Sequence, residues 1–135
     1  MAIKNWEFQQ LHMDFSSIFP DGNHPSDIDM FFLTDTDFLC VAEIKNERGR
    51  FNPSQRRRLE RLIDGWKADG VCLYVTHDKY VQNGDTEVNV PECFIQEIYY
   101  KKTHKWVKPK KPTKVMRVIE DLKAQEREAK NNADK

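Results

Sequence analysis

HPSDIDMFFLTDTDFLCVAEIK, residues 24–45, contains two apolar runs joined by a short polar stretch, and this pattern predicts a β-hairpin. Two carboxylates, Asp27 and Asp29, stand at the start of the first strand. The second strand ends in Glu43 and Lys45, which flank one isoleucine. Because strand side chains alternate between faces, the two aspartates share one face, and Glu43 and Lys45 share one face.

The length of the turn decides whether these two faces are the same. A three-residue loop at 35–37 places Asp29 opposite Glu43 and Asp27 opposite Lys45, and directly opposite residues point to the same side of a sheet. A two-residue loop shifts the pairing by one residue and separates the aspartates from the other pair. The three-residue loop therefore predicts three carboxylates and one ammonium group at one end of one face.

Both faces of this hairpin are otherwise apolar. Strands of that kind are typical of the centre of a sheet that is covered on both sides. Charged groups at the end of such strands are costly to desolvate unless they are paired or bind a metal ion.

The following segment predicts a helix and another buried strand. Asn52 is a good helix cap, and Pro53 suits the first helical position. The apolar spacing continues to 68–70, where Ala-Asp-Gly predicts the end of the helix, and an apolar strand follows at 71–76. Gln55 has two interpretations: it closes the helix cap, or it lies on the inward face of the helix, which begins there.

The order of these residues resembles the PD-(D/E)XK nuclease superfamily, in its VRR-NUC and Holliday-junction-resolvase-like branch. The resemblance rests on an Asp, a Glu-x-Lys strand end, and Asn52-Pro53-Ser54-Gln55 at a helix start, and it covers about residues 24–77. It implies an α/β fold with an αβββαβ restriction-endonuclease-like core. Such a core is a mixed β-sheet flanked by helices, to which this chain adds C-terminal strands and a helix. A helix at residues 4–19 would be the first element.

The resemblance also implies a site. Its catalytic residues would be Asp29, Glu43, Lys45 and Gln55, with Gln55 pointing along the sheet toward Glu43 and Lys45. Its ligands for Mg²⁺ or Mn²⁺ would be Asp29, Glu43 and the backbone carbonyl of Ile44. The family's adjacent Pro-Asp pair is interrupted here, which leaves Asp27 as an alternative ligand. Asp29 is favoured because the apolar run begins directly after it.

Length and charge bound the organisation of the chain. Its 135 residues suit one domain, which we place at 1–128, followed by a flexible tail at 129–135. The net charge is zero, but residues 1–45 hold eight acidic and two basic side chains, whereas residues 101–117 hold eight basic and no acidic ones. A basic segment of this kind suits a polyanion even in a neutral protein.

The three cysteines and the hydropathy favour the cytoplasm. Cys40 and Cys72 lie in apolar strand runs, where buried free thiols are expected. Neither a disulfide framework nor a zinc site is indicated. No apolar stretch is long enough to span a membrane, and the N-terminus lacks the apolar region of a signal peptide.

Six residues are candidates for nucleic-acid contact. They are basic or aromatic, and they lie on the helix or in the basic segment: Arg56, Arg57, Lys101, Lys102, Lys105 and Trp106. Basic side chains bind phosphates, and an aromatic ring can stack on a base. The alternatives are a solvated helix face and a solvated edge hairpin.

The function that the resemblance implies is that of a metal-dependent DNA endonuclease. The alternative is a catalytically silent protein of the same fold that binds nucleic acid or a partner protein, such as a phage or mobile-element inhibitor or accessory factor. A homodimer, or a protein partner that supplies substrate recognition, is compatible with either.

Overall fold

The computed structural model describes residues 28–47, 49–79 and 87–133. Its elements are, in chain order, β1 (Met30–Leu33), β2 (Leu39–Asn46), α1 (Pro53–Gly65), β3 (Gly70–His77), a 3₁₀ turn (Val90–Glu92), β4 (Phe94–Tyr100), β5 (Lys105–Val107) and α2 (Val115–Ala133). The strands form one sheet in the order β1-β2-β3-β4-β5. The β2–β3 pair is parallel and the other three pairs are antiparallel, which confirms the mixed α/β fold.

The hairpin has the three-residue loop. Leu33 pairs with Leu39, the Thr34 amide donates to the Phe38 carbonyl at 3.0 Å, and the Asp37 amide donates to the Thr34 carbonyl at 3.0 Å. Asp37 has a φ of 66°, the left-handed conformation that ends a three-residue hairpin loop and that aspartate tolerates. The register that places Asp29 opposite Glu43 is therefore confirmed.

The two helices cover opposite faces of the sheet. Leu59 and Ile63 of α1 pack against Leu39, Val41 and Cys72. On the other face, Val115 and Leu122 of α2 pack with Cys40, Ala42, Leu73, Val75 and Ile95. Cys40 and Cys72 are buried free thiols, as expected, and burial raises the pKa of Cys40 to about 12. β2 and β3 are thus the covered centre of the sheet.

The position of β1 differs from the prediction. It is an edge strand of the sheet, and Phe31 is 66% exposed and Leu33 44% exposed on the face that α1 covers further along. Between Ile28 and Asn52 two strands precede α1, and not three as in αβββαβ. Asp27 and the helix predicted at 4–19 lie outside the described residues.

The helix between β2 and β3 begins at the predicted cap but ends earlier than predicted. The Asn52 side chain accepts a hydrogen bond from the Ser54 amide at 2.8 Å, and Pro53 is the first helical residue. The helix ends at Gly65, because the Trp66 indole turns to the hairpin loop and donates to the Asp37 carbonyl at 2.7 Å. The expected helix end at 68–70 is therefore wrong, and Gly70 instead opens β3.

The C-terminal additions also depart from the sequence pattern in two places. The alternation of polar and apolar residues at 87–90 predicts a strand, but residues 87–89 form none and lead into the 3₁₀ turn, where Pro91 has no amide hydrogen for a ladder. The last helix runs to Ala133, so residues 129–133 are helical, where a tail was predicted. Lys130 binds Asp35 of the hairpin loop at 2.5 Å, which connects this helix end to the rest of the domain.

Neither described helix is long and apolar enough to cross a membrane.

Candidate active site

Glu43 is at the centre of a group of polar side chains where β1 begins and β2 ends. Glu43 is 4% exposed. Lys45, two residues along on the same face, places its ammonium 3.1 Å from Oε1 of Glu43. Asp29 lies opposite Glu43 in the hairpin register and is close enough for its charge to act on the Glu43 carboxyl. Three of the four predicted catalytic residues are therefore brought together by one hairpin.

Asp29 is held in place by the backbone of β2. Its Oδ2 accepts a hydrogen bond from the Ile44 amide at 2.8 Å. The amide and carbonyl of one strand residue point to the same edge of the strand, so the Ile44 carbonyl also points to the β1 side of β2. The site thus gathers two carboxylates and one backbone carbonyl.

The Glu43 carboxyl is in an unfavourable environment for a charge. Burial raises its pKa above the ordinary glutamate value, and the negative charge of Asp29 raises it further. Lys45 and, more weakly, the Gln55 amide act in the opposite direction. Oε2 makes no hydrogen bond to a described residue. A buried carboxylate oxygen without a partner is costly, so a cation or a donor that binds Oε2 would lower this cost.

Of the two interpretations of Gln55, the structure favours the one in which its side chain lies on the inward face of the helix. Among the described residues, the side-chain cap of α1 is made by Asn52. The Gln55 amide instead lowers the pKa of the Glu43 carboxyl, so it lies near that group. The first turn of α1 therefore carries the fourth predicted residue to the site.

These donors fit Mg²⁺ or Mn²⁺. Both ions prefer carboxylate, carbonyl and water oxygens, and both usually keep several waters. The unpartnered Oε2 of Glu43, the second oxygen of Asp29 and the Ile44 carbonyl supply that kind of donor. Over the described ranges no three His, Cys, Asp or Glu side chains form a metal-binding group, so the side-chain donors there are two carboxylates.

Arg56 and Trp106 contact each other, and both are partly buried. The guanidinium carbon of Arg56 lies 4.4 Å from the centre of the Trp106 ring, and Arg56 binds Glu97 at 3.1 Å. The Trp106 indole donates to Glu60 at 2.6 Å. Phe51 packs on the same tryptophan with ring centres 5.6 Å apart. This cluster attaches α1 to β5, so both side chains have partners within the fold, and their contact with nucleic acid stays a prediction.

The Lys101 side chain is also hydrogen-bonded within the protein. Its ammonium donates to the carbonyls of Trp66 and Ala68, which follow α1. Lys102 is 79% exposed in its side chain and lies 3.4 Å from Asp69. Arg57 and Lys105 are exposed on α1 and β5 and remain candidates for nucleic-acid contact.

A cleft of about 340 Å³ lies beside the site, and its lining includes residues that the sequence did not single out. Tyr74 and Thr76 line it, and these are the β3 neighbours of Glu43 and Lys45 in the parallel register. Gln96 and Glu97 of β4 form the far wall. Only the register between β2 and β3, which no local pattern encodes, reveals that these residues adjoin the site.

Comparison with known proteins adds no relative. The chain matches no protein-family model, and neither a curated protein nor a solved structure shows significant similarity to it.

Proposed function

We propose that this protein is a metal-dependent nuclease that hydrolyses phosphodiester bonds in DNA. The observation that carries the proposal is the buried Glu43 carboxyl. It lies beside Asp29 and Lys45, and one of its oxygens has no partner among the described residues. A buried acid with a raised pKa next to a second acid and a cation is a common signature of functional sites.

The residues have distinct roles in this proposal. Asp29, Glu43 and the Ile44 carbonyl would hold Mg²⁺ or Mn²⁺, which when bound neutralises charge on a phosphate and acidifies a water molecule. Lys45, held by Glu43 at 3.1 Å, orients the attacking water or stabilises negative charge on the phosphate. Gln55 holds the water or a phosphate oxygen from the helix side. Because the Lys45 ammonium is paired with Glu43 in the site, we assign it an orienting role and not that of the base.

The test is cleavage of branched, single-stranded and duplex DNA with Mg²⁺ or Mn²⁺ and with EDTA. Wild type is compared with Glu43→Gln and Lys45→Ala, and Glu120→Gln, an exposed glutamate of α2, is the matched control. We expect metal-dependent cleavage that falls about 100-fold or more in both site variants and is unchanged in the control. Absence of cleavage by folded wild type with either metal would refute the proposal.

A binding role on the same fold is the second candidate. It is favoured by the exposed apolar side chains of the edge strand, where Phe31 is 66% and Leu33 44% exposed. An edge strand with apolar side chains can pair with a second copy of the chain or with another protein. Concentration-dependent association that Phe31→Ser abolishes, in a protein that cleaves nothing, would favour this role over the nuclease.

A further inference from the structure

The segment 108–112, Lys-Pro-Lys-Lys-Pro, connects β5 to the residues that begin α2, and we name it the lysine arch. β5 pairs with the last three residues of β4, so that Val107 lies opposite Ile98. At the other end, the Ile95 amide donates to the Thr113 carbonyl at 2.9 Å. The arch therefore leaves the edge of β4 and returns to it a few residues away. Two prolines restrict its backbone, which holds its lysines in a limited set of positions.

A groove of about 550 Å³ runs between the lysine arch and the start of β4. Three lysines line it, Lys108, Lys110 and Lys111, and none of them makes an ion pair with another described residue. The opposite wall contains Phe94, which is 44% exposed, and Gln96. Among the described residues, no acidic side chain lines this groove. Lysines without an ion pair to a described residue, beside an exposed aromatic ring, suit a single-stranded nucleic acid.

The groove leads toward the candidate active site. Gln96 and Lys108 line both this groove and the 340 Å³ cleft beside Glu43 and Lys45. The sheet has an irregularity here, since Tyr74 pairs with Glu97 but Val75 pairs with Ile95, so Gln96 is the extra residue of a bulge. Bulges re-aim side chains near functional sites. Gln96 donates to Thr76 at 2.9 Å, which fixes the wall where the two clefts meet.

Charge along this path is compatible with a polyanion. The described lining of the connecting cleft includes two acidic residues, and one of them, Glu97, is paired with Arg56 at 3.1 Å. The other, Glu47, is at the solvent end of β2 and also interacts with the rest of the protein. Among the described residues, Lys108 is the basic residue that lines both clefts.

We propose that the lysine-arch groove binds a single strand of DNA and leads it to the Glu43 site. Lys108, Lys110 and Lys111 contact successive phosphates, and Phe94 stacks on an unpaired base. A duplex hides the faces of its bases, so the exposed ring favours a single strand. This inference rests on the proposed nuclease function for its choice of DNA and extends it by naming the substrate class and the surface that recognises it.

The test is binding of a fluorescent oligodeoxynucleotide of about 12 nucleotides, measured by anisotropy in EDTA over a range of salt concentrations. Wild type is compared with the triple variant Lys108→Gln, Lys110→Gln, Lys111→Gln. The matched control carries the same change of charge elsewhere: Lys67→Gln, Lys123→Gln, Arg127→Gln. We expect the groove variant to lower the slope of log affinity against log salt by about 2, because three phosphate contacts on a single strand are lost. The control keeps the wild-type slope.

Phe94 is tested separately. Phe94→Leu keeps an apolar side chain and removes the ring, and we expect binding to weaken about 5-fold or more, as for a lost base stack. Tyr100→Leu, which removes another partly exposed ring of β4 that lies outside the groove lining, leaves binding unchanged. A groove variant that binds as the control does would overturn the inference, as would tighter binding of duplex DNA or of single-stranded RNA.

Binding and cleavage separate the two proposals. Loss of binding in the groove variant, with no metal-dependent cleavage by wild type, would retain the groove as a single-strand binding surface and reject the nuclease. Cleavage by wild type with unaltered binding by the groove variant would retain the nuclease and reject the groove.

Discussion

Replacing Glu43 by glutamine is expected to stabilise the metal-free protein at neutral pH. The residue is 4% exposed, Oε2 has no donor among the described residues, and Asp29 repels the charge. Glutamine keeps a polar atom at that position but removes its buried negative charge and the repulsion by Asp29, which we expect to gain about 1–3 kcal/mol, whereas loss of the pair with the partly exposed Lys45 costs about 0.5–1 kcal/mol. The net gain is therefore about 1 kcal/mol, which raises Tm by about 3–5 °C in a chain of this size.

The gain should depend on pH in one direction. The folded Glu43 carboxyl has a raised pKa, so it keeps its proton at pH values where the unfolded chain has lost its own. Folding then becomes less favourable as pH rises through the range between the two pKa values. Below the ordinary glutamate pKa both forms are neutral, and the advantage of Glu43→Gln should disappear. Thermal unfolding of both proteins across pH 4–8, followed by circular dichroism, measures this difference.

Bound metal should make wild type more stable than Glu43→Gln. Binding to the folded state adds about 2.7 kcal/mol at a metal concentration 100 times Kd, and Glu43→Gln should forfeit most of it. The comparison is Tm in EDTA and in excess Mn²⁺, with Glu120→Gln as the control that follows wild type in both. The reasoning is refuted if Glu43→Gln is less stable than wild type in EDTA, or if Mn²⁺ stabilises both proteins equally.

Three further substitutions test the packing around the site. Gly70→Ala should lower the free energy of unfolding by about 1–3 kcal/mol, measured with urea, because a Cβ there would lie 2.8 Å from the Leu39 carbonyl oxygen. Unchanged stability would show that the strands separate easily. Lys101→Met should cost about 1–2 kcal/mol, because its ammonium binds the carbonyls after α1, and should leave DNA affinity unchanged in the anisotropy assay; the reverse result would return Lys101 to the nucleic-acid surface. Tyr99→Phe removes a 2.8 Å hydrogen bond to Asp64 and should cost about 1 kcal/mol. Burial raises the Tyr99 pKa to about 12, so wild type should lose more stability than the variant between pH 10 and 12; identical alkaline profiles would contradict this.

The local features were predictable because short-range chemistry determines them. Asp37 can adopt the left-handed conformation that a three-residue loop requires, and that loop places Asp29 opposite Glu43. Asn52 and Pro53 begin α1 because they satisfy or remove its first free amides. These interactions span only a few residues, so the order of the chain encodes them.

The end of α1 was not predictable in this way. Lys67 and Ala68 are good helix formers, and the pattern continued through them. The helix nevertheless ends at Gly65, because Trp66 binds the Asp37 carbonyl on the hairpin loop, 29 residues earlier in the chain. A contact over that distance exists only after β2, α1 and β3 have packed together.

The basic residues show most clearly which properties the sequence determines and which depend on the tertiary structure. By itself the sequence determined that the chain has an acidic first third, a basic segment after residue 100, and a hairpin that gathers Asp29, Glu43 and Lys45. Only the tertiary structure decided which cations are available to a ligand. Arg56 and Lys101 are paired inside the domain, whereas the lysine arch has no described ion pair and adjoins the site. The physical reason is that charge is a property of each residue, but its compensation depends on which distant groups the sheet and helices bring within bonding distance.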